Sequence, residues 1–377
     1  MALDREATPS AATTDPDEEG VMDGLPIPSD WDDVDPAWMT GALSRSFPGA
    51  VVGSVETLLR DDGTNRRARL SLTYDAGAGP ATVFVKAGDP AHAALNEATG
   101  GVFNEARLFR SGADLPVDHP AVHLALIDEE RLDFCLVMED VVGRGADPRD
   151  STRPYSVEEA AAGVRALGRL HGRFWGDRLE ADRRLDWVVP YRPWGGMAGG
   201  ILRAIEKAGD AIPAEVRALD GERLVDDLWT RFVGSLTAGP STLVHGDAHI
   251  GNTYLLPDGE VGFLDWQVLR RSGPSVDLGY FLQGAVTVSD RRTAERDLLD
   301  EYLSALDLPA GERPDRDALW LAYRASTVHG LALWLATFSY GAWQRPEVSL
   351  ALVQRYAAAY VDLDAAAAVD ALAPPVG

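Results

Sequence analysis

The sequence predicts an α+β fold in two lobes, a small antiparallel β-rich lobe at residues 26–140 and a larger, mainly helical lobe at 141–377. Three observations predict it. Between residues 50 and 140, short runs of β-branched and aromatic residues alternate with turn-forming clusters, which is the pattern of strands. After residue 140, apolar residues recur at helical spacing. Near 241–267 the helical pattern is interrupted once, by a segment that reads as an irregular loop and a hairpin.

Residues 1–25 carry acidic, small and turn-forming side chains with few large apolar groups, so a flexible acidic tail is expected. "DPAWMTGALSRSF" then reads as a short helix. Asp35 is its cap, Pro36 takes the first position, where no backbone N–H is needed, and Trp38, Leu43 and Phe47 supply a buried stripe. "VVGSVETLL", "ARLSLTY" and "ATVFVKA" are strands separated by the turns "RDDGTN" and "DAGAGP". A helix near "GVFNEARLF" follows, then strands at "AVHLALID" and "LDFCLVM" on either side of "EER". This order makes a five-stranded sheet with one helix inserted after the third strand.

In the second lobe, "SVEEAAAGVRALGRLHGRFW" opens with Ser156 and, three residues on, Glu159. That is a capping box, in which each side chain accepts a backbone N–H that the first helical turn leaves unpaired. Further helices are expected near 214–236, 276–287, 290–304, 315–340 and 347–372, and the hairpin within 241–267 turns at "PDG".

Composition excludes several classes. A net charge of −24 would repel a nucleic-acid backbone unless a basic patch existed, and no run of Lys and Arg makes one, so no nucleic-acid partner is expected. An anionic nucleotide would need a metal ion and a local cation to offset that background. The single cysteine, Cys135, forbids an intramolecular disulfide and lies in the apolar run "LDFCLVMED", as a buried core thiol would. The first residues lack the basic start and apolar stretch of a signal peptide, and the longest apolar stretch, 330–343, is too short to span a bilayer. A cytoplasmic protein without a membrane partner is expected.

The chemistry concentrates in "HGDAHIGN" and in "FLDWQ", whose Asp265 lies thirteen residues beyond Asn252. Phosphoryl transfer asks little covalent chemistry of a protein. It needs a carboxylate that accepts the proton of the attacking hydroxyl, and hard oxygen ligands that hold Mg²⁺ against the phosphates. Asp247 and Asn252 reproduce the D-x-x-x-x-N spacing of a kinase catalytic loop, and Asp265 closes the next hairpin. Taken singly, such residues are turn formers; together, between two apolar strands, they read as the base Asp247 and the metal ligands Asn252 and Asp265.

A second signal is Lys86, ending the strand "TVFVKAG". In isolation it reads as a snorkelling edge residue, but Glu105 follows nineteen residues later on the expected helix. Such a Lys–Glu pair holds the ammonium group against nucleotide phosphates; Glu97 is a nearby competitor for the role. Gly63, Thr64 and Asn65, in the turn "RDDGTNRRA" between the first two strands, could offer donors to phosphate oxygens, and an ordinary hairpin turn explains the same residues.

The segment 243–281 resembles the aminoglycoside phosphotransferase and choline kinase-like family, including its ecdysteroid-kinase-like branch, with less dense similarity over residues 50–345. The resemblance implies a protein-kinase-like fold, use of ATP or GTP with Mg²⁺, and a small hydroxylated acceptor such as an aminoglycoside, a choline-like amine or a steroid-like alcohol. It implies that His245 braces the loop, that Asp277 in "GPSVDLGYF" ties the loop down, and that the Glu139 carbonyl and Val141 amide in "VMEDV" meet the adenine. Ile250 stands where the family often has proline, and Gln267 where an acidic residue is common.

Two other readings compete. His245, Asp247 and His249 alternate and could face one metal in a hydrolase. A nucleotide-binding pseudokinase is the other, although the base, the metal aspartate and the strand lysine are all present.

Overall fold

The structure, a computed structural model, describes residues 24–60, 63, 65–92, 101–341 and 343–374. The expected tail falls almost wholly outside these, as do Thr64 and Glu97.

Strands β1 (Val51–Arg60), β2 (Arg66–Ala76), β3 (Thr82–Ala87), β4 (Val122–Asp128) and β5 (Asp133–Glu139) form one antiparallel sheet in the order β1-β2-β3-β5-β4. The two-residue period of a strand divides its side chains between two faces. Leu70, Leu72, Val83, Val85, Cys135 and Val137 pack on one face under helix α1 (Pro36–Leu43). The Asp35 carboxylate accepts the Trp38 amide at 2.7 Å and caps that helix. Burial pushes the Cys135 thiol up to about 12, the behaviour of an inert core thiol. On the opposite face, Phe134, Leu136 and Met138 pack with Phe103 and Ala106, which brings in helix α2 (Asn104–Arg110). Lys86 lies two residues beyond Phe84 and so shares its face, and the pleat turns its side chain toward α2.

The second lobe is helical. Helix α3 (Val157–Arg173) carries the expected capping box: Ser156 accepts from the Glu159 amide at 3.2 Å, and Glu159 from the Ser156 amide at 2.7 Å. Helix α4 (Ala198–Ala208) was not expected. Gly199 and Gly200 weaken its local helical signal, yet a Cβ on Gly200 would lie 3.2 Å from the Ser339 hydroxyl, so the position must be small to pack. Helices α5 (Ser275–Ala285) and α6 (Val288–Ala305) lie where the periodicity placed them. The stretch 315–340 is two helices, α7 (Arg316–Ala325) and α8 (Thr327–Tyr340), joined at Ser326, whose hydroxyl donates to the Tyr323 carbonyl at 2.7 Å. Likewise 347–372 divides into α9 (Pro346–Asp362) and α10 (Ala365–Leu372), because Asp364 takes the left-handed conformation at φ 47°. The stretch 214–236 begins with a four-residue turn, Ala214–Arg217, and resumes as wide π-helical turns over Glu222–Trp229.

Five short strands interrupt the helices. β7 (Thr242–Val244) pairs with β10 (Arg270–Ser272), while β6 (Asp147–Pro148), β8 (Thr253–Leu255) and β9 (Val261–Phe263) form a second small sheet. The β8–β9 turn is the expected "PDG", closed by a hydrogen bond from the Gly259 amide to the Leu256 carbonyl at 2.9 Å. Among the described residues no helix is long and apolar enough to cross a membrane.

Candidate active site

The loop from His245 to Asn252 is built from beneath. Both Asp277 oxygens are spent on it: one accepts the His245 amide at 2.6 Å, the other the Gly246 amide at 2.8 Å. His171 donates from Nε2 to Asp277 at 3.2 Å and accepts the Tyr302 hydroxyl at 2.9 Å on Nδ1. Asp277 and His171 are fully buried, so these partners supply the hydrogen bonds that water cannot. Gly246 sits at φ 84°, and a Cβ there would collide with the Val268 carbonyl; only glycine lets the loop turn so close to the β10 approach.

His245 donates from Nε2 to the Leu264 carbonyl at 2.8 Å and accepts the Asp247 amide on Nδ1 at 3.2 Å. Burial keeps it neutral, below its ordinary value. Both ring nitrogens are therefore committed, and none remains for a metal. His249 accepts the Gly251 amide on Nδ1, and burial lowers it to about 4. Among the described residues no group of three or more His, Cys, Asp or Glu side chains is placed to hold a metal ion. The hydrolase reading loses its ligands on this geometry.

Asp247 keeps a quarter of its side-chain surface open, at 25%. Burial first, and then repulsion from Asp265, push its carboxyl well above the usual carboxylate range. Asn252 donates its amide hydrogens to the Asp247 carbonyl at 2.9 Å and to the Asp247 carboxylate at 3.0 Å. Those bonds leave the Asn252 Oδ1 as the oxygen available to a cation. The Leu264 amide donates to the Asn252 carbonyl at 2.8 Å, tying this residue to the approach of Asp265.

Asp265 is held from the other lobe. Lys86 Nζ donates to Glu105 Oε2 at 2.6 Å and to Asp265 Oδ1 at 2.7 Å. Burial opposes the ammonium charge, but Asp265 and Glu105 outweigh it and hold the Lys86 group above its ordinary value. Burial raises Glu105, whose other oxygen accepts the Trp266 amide at 3.1 Å. Asp265 itself adopts φ 62°, a strained conformation for a non-glycine residue and one often kept where function demands it. Its second oxygen, with Asn252 Oδ1, makes a pair of hard donors of the type magnesium prefers.

The nucleotide-side expectations fare differently. The Gly63 amide donates to the Asn65 carbonyl at 3.0 Å, which removes it as a phosphate donor. Asn65 is 3% exposed and donates from Nδ2 to Gln267 Oε1 at 2.6 Å, so its side chain bridges the lobes. The Gly63 amide is thus paired within the turn and the Asn65 side chain across the lobes; Thr64 lies outside the described residues. Glu139 ends β5 and ion-pairs with Arg144 at 2.9 Å, and Val141, buried with Ala146 and Tyr254, opens the one-turn helix that leads into the second lobe.

Three participants escaped sequence reasoning. His171 reads as a packed helix residue and turns out to be a partner of Asp277. Asn104, next to Glu105, donates to the carbonyls of Gln267 at 3.0 Å and Leu269 at 3.2 Å, fastening the segment after Asp265 to α2. Arg67 stands opposite Lys86 in the β2–β3 register, which no local pattern reveals.

A lysine–glutamate pair on a five-stranded sheet, facing a D-x-x-x-x-N loop and a following aspartate in a helical lobe, defines the protein-kinase-like class of fold. The chain belongs to the phosphotransferase enzyme family, which matches residues 69–320, and it is a small-molecule kinase. Similar solved structures include a choline kinase from Streptococcus pneumoniae, 16% identical over 86% of this chain and 98% of that one, with a TM-score of 0.46. An aminoglycoside phosphotransferase from Streptomyces rimosus is 19% identical over 76% of this chain and 95% of that one, with a TM-score of 0.42. A choline kinase from Cryptosporidium parvum is 11% identical over 88% of this chain and 94% of that one, with a TM-score of 0.47. No curated protein matches the chain.

Proposed function

We propose that the protein transfers the γ-phosphoryl group of ATP, or of GTP, to a hydroxyl of a small molecule in the cytoplasm, in a magnesium-dependent reaction. The observation that carries this reading is the Lys86 ammonium, held at 2.6 and 2.7 Å between Glu105 and Asp265. It places a cation from one lobe against the carboxylate of the other, at the mouth of a loop bearing a raised carboxyl. Asn252 and Asp265 would hold Mg²⁺, which supplies neutralisation of the β- and γ-phosphate charge when bound.

In this reading Lys86 exchanges its contact with Asp265 for the nucleotide phosphates. Asp247 orients the acceptor hydroxyl and takes its proton, a role suited to a carboxyl whose affinity for protons burial raises well above that of an ordinary carboxylate. The bond from the γ-phosphorus to its bridging oxygen breaks to leave the nucleoside diphosphate, and a phosphorus–oxygen bond to the acceptor forms in its place. A cavity of about 420 Å³ beside the loop, lined by His249, Gly251, Arg149, Asp150 and Arg345, has the size of a small-molecule acceptor site.

Thermal unfolding with ATP, GTP or neither, each with and without Mg²⁺, tests the reading. At a hundredfold excess over the dissociation constant a nucleotide adds about 2.7 kcal/mol of apparent stability, and the increase should require magnesium. Stability unmoved by either nucleotide would overturn the proposal. Release of diphosphate in the presence of hydroxylated small molecules then identifies the acceptor.

A further inference from the structure

Arg67 is placed by three independent constraints. It pairs with Lys86 across the β2–β3 ladder, and directly opposed residues share one face of a sheet, so its side chain leaves toward the interlobe cleft as that of Lys86 does. A Cβ on Gly63 would lie 2.9 Å from its Nη2, so the guanidinium lies against the β1–β2 turn. The same residue lines the 420 Å³ cavity together with His249 and Gly251 of the catalytic loop.

These constraints set a guanidinium beside Lys86, which holds Asp265, and on the cavity bordered by His249 and Gly251 of the loop that bears Asp247. In the proposed reaction the phosphoryl group crosses this region on its way to an acceptor. Among the described residues of the turn above it, the Gly63 amide and the Asn65 side chain are already bonded within the protein. A chain of net charge −24 also needs local cations wherever it holds a triphosphate. A guanidinium is suited to that task, because its forked N–H groups match phosphate oxygens in pairs.

We infer that Arg67 is a catalytic residue that binds the oxygens of the γ-phosphoryl group, in ground state and transition state, from its place beside Lys86. The inference rests on the phosphotransferase reading above. Arg67 donates hydrogen bonds only; it keeps its own protons, while the proton of the acceptor passes to Asp247.

The test compares Mg–ADP with the non-hydrolysable triphosphate Mg–AMP-PNP, by calorimetric titration of the whole chain as wild type, Arg67→Met and Arg67→Lys. A residue that touches only the γ-phosphoryl group weakens AMP-PNP by about tenfold or more on loss of its charged hydrogen bonds, and leaves ADP unchanged. Turnover in Arg67→Met should fall by roughly 10²–10³, with partial recovery in Arg67→Lys, which keeps the charge but not the fork. Equal binding of AMP-PNP by wild type and Arg67→Met, or equal weakening of both nucleotides, overturns the assignment of Arg67. Should Arg67→Met not fold, the lysine variant carries the same comparison, since the lost fork still weakens AMP-PNP selectively. A wild-type protein that binds neither nucleotide would instead overturn the phosphotransferase reading itself, and the assignment with it.

Discussion

The two aspartates that frame the site are held in opposite ways. Asp277, beneath the catalytic loop, is fully buried and spends its oxygens on two backbone amides and a histidine of its own lobe. Asp265, above the loop, keeps 20% of its side chain exposed and is bound by a lysine from the other lobe. The first arrangement cannot exchange partners, because every group it would release is out of reach of water. In the proposed reaction the second can, because a nucleotide entering the cleft would bring its own phosphates to Lys86. On that reading the loop bearing Asp247 is prepared in advance, while the phosphate side would be completed by the ligand.

That contrast can be broken from either end. The largest effect is expected from Asp265→Ala, which should abolish turnover and magnesium-dependent nucleotide stabilisation while the fold survives. Loss of the fold would show Asp265 to be as structural as Asp277. Next comes Asp247→Asn. It should spare nucleotide binding and lower kcat by about 10²–10⁴, the range for a positioned proton acceptor; full activity in this variant would remove Asp247 from the chemistry. Asp277→Ala should act on stability instead. It strands two backbone amides and His171 in the interior and should cost roughly 3–5 kcal/mol in denaturant unfolding. A cost below about 1 kcal/mol, the worth of an ordinary hydrogen bond, would mean the loop is not anchored from beneath.

A smaller effect sharpens the comparison through pH. His329, buried in the helical lobe, accepts the Trp229 indole N–H at 3.0 Å, and burial lowers it to about 3. The unfolded chain protonates such a histidine near pH 6.5, whereas the folded chain resists until near 3. Its contribution is therefore complete above about pH 6.5 and is lost as pH falls toward 3, at about 1.4 kcal/mol per pH unit. In His329→Gln the dependence of unfolding free energy on pH between 6 and 4 should flatten by roughly that amount, whatever the overall loss of stability. The smallest change is expected from Gln267→Ala, which frees Asn65 from the lobe bridge. It should cost about 1 kcal/mol and leave kcat within about twofold if the bridge serves only to hold the lobes, an effect read from unfolding and turnover together.

Much of the fold was legible because its signals are local. The Asp35 cap, the Ser156–Glu159 box and the "PDG" turn each depend on residues a few positions apart, and each appears where the sequence placed it. Boundaries set by packing were not legible. Helix α4 carries two glycines that speak against a helix, and the division between α7 and α8 depends on Ser326 folding back onto Tyr323. The site divides in the same way. Asp247, Asn252 and Asp265 share one short segment, so their spacing could be read directly. Asn65 reads from its turn as either a phosphate donor or an ordinary hairpin residue, and in the structure its Nδ2 donates to Gln267, 202 residues away.

By itself, the sequence determined the two-lobed α+β plan, the five strands of the first lobe with a helix after the third, and the short segment in which the candidate residues Asp247, Asn252 and Asp265 lie together. These follow from periodicity, capping and spacing along one chain, which short-range sterics and hydrogen bonding enforce. Only the tertiary structure decided which polar groups are already spent. The pairing of Asp277 with His171, the commitment of both His245 nitrogens and the register that sets Arg67 opposite Lys86 join residues far apart in the chain. A buried polar group must find a partner wherever the fold brings one, and that partner is fixed by packing rather than by its neighbours in sequence.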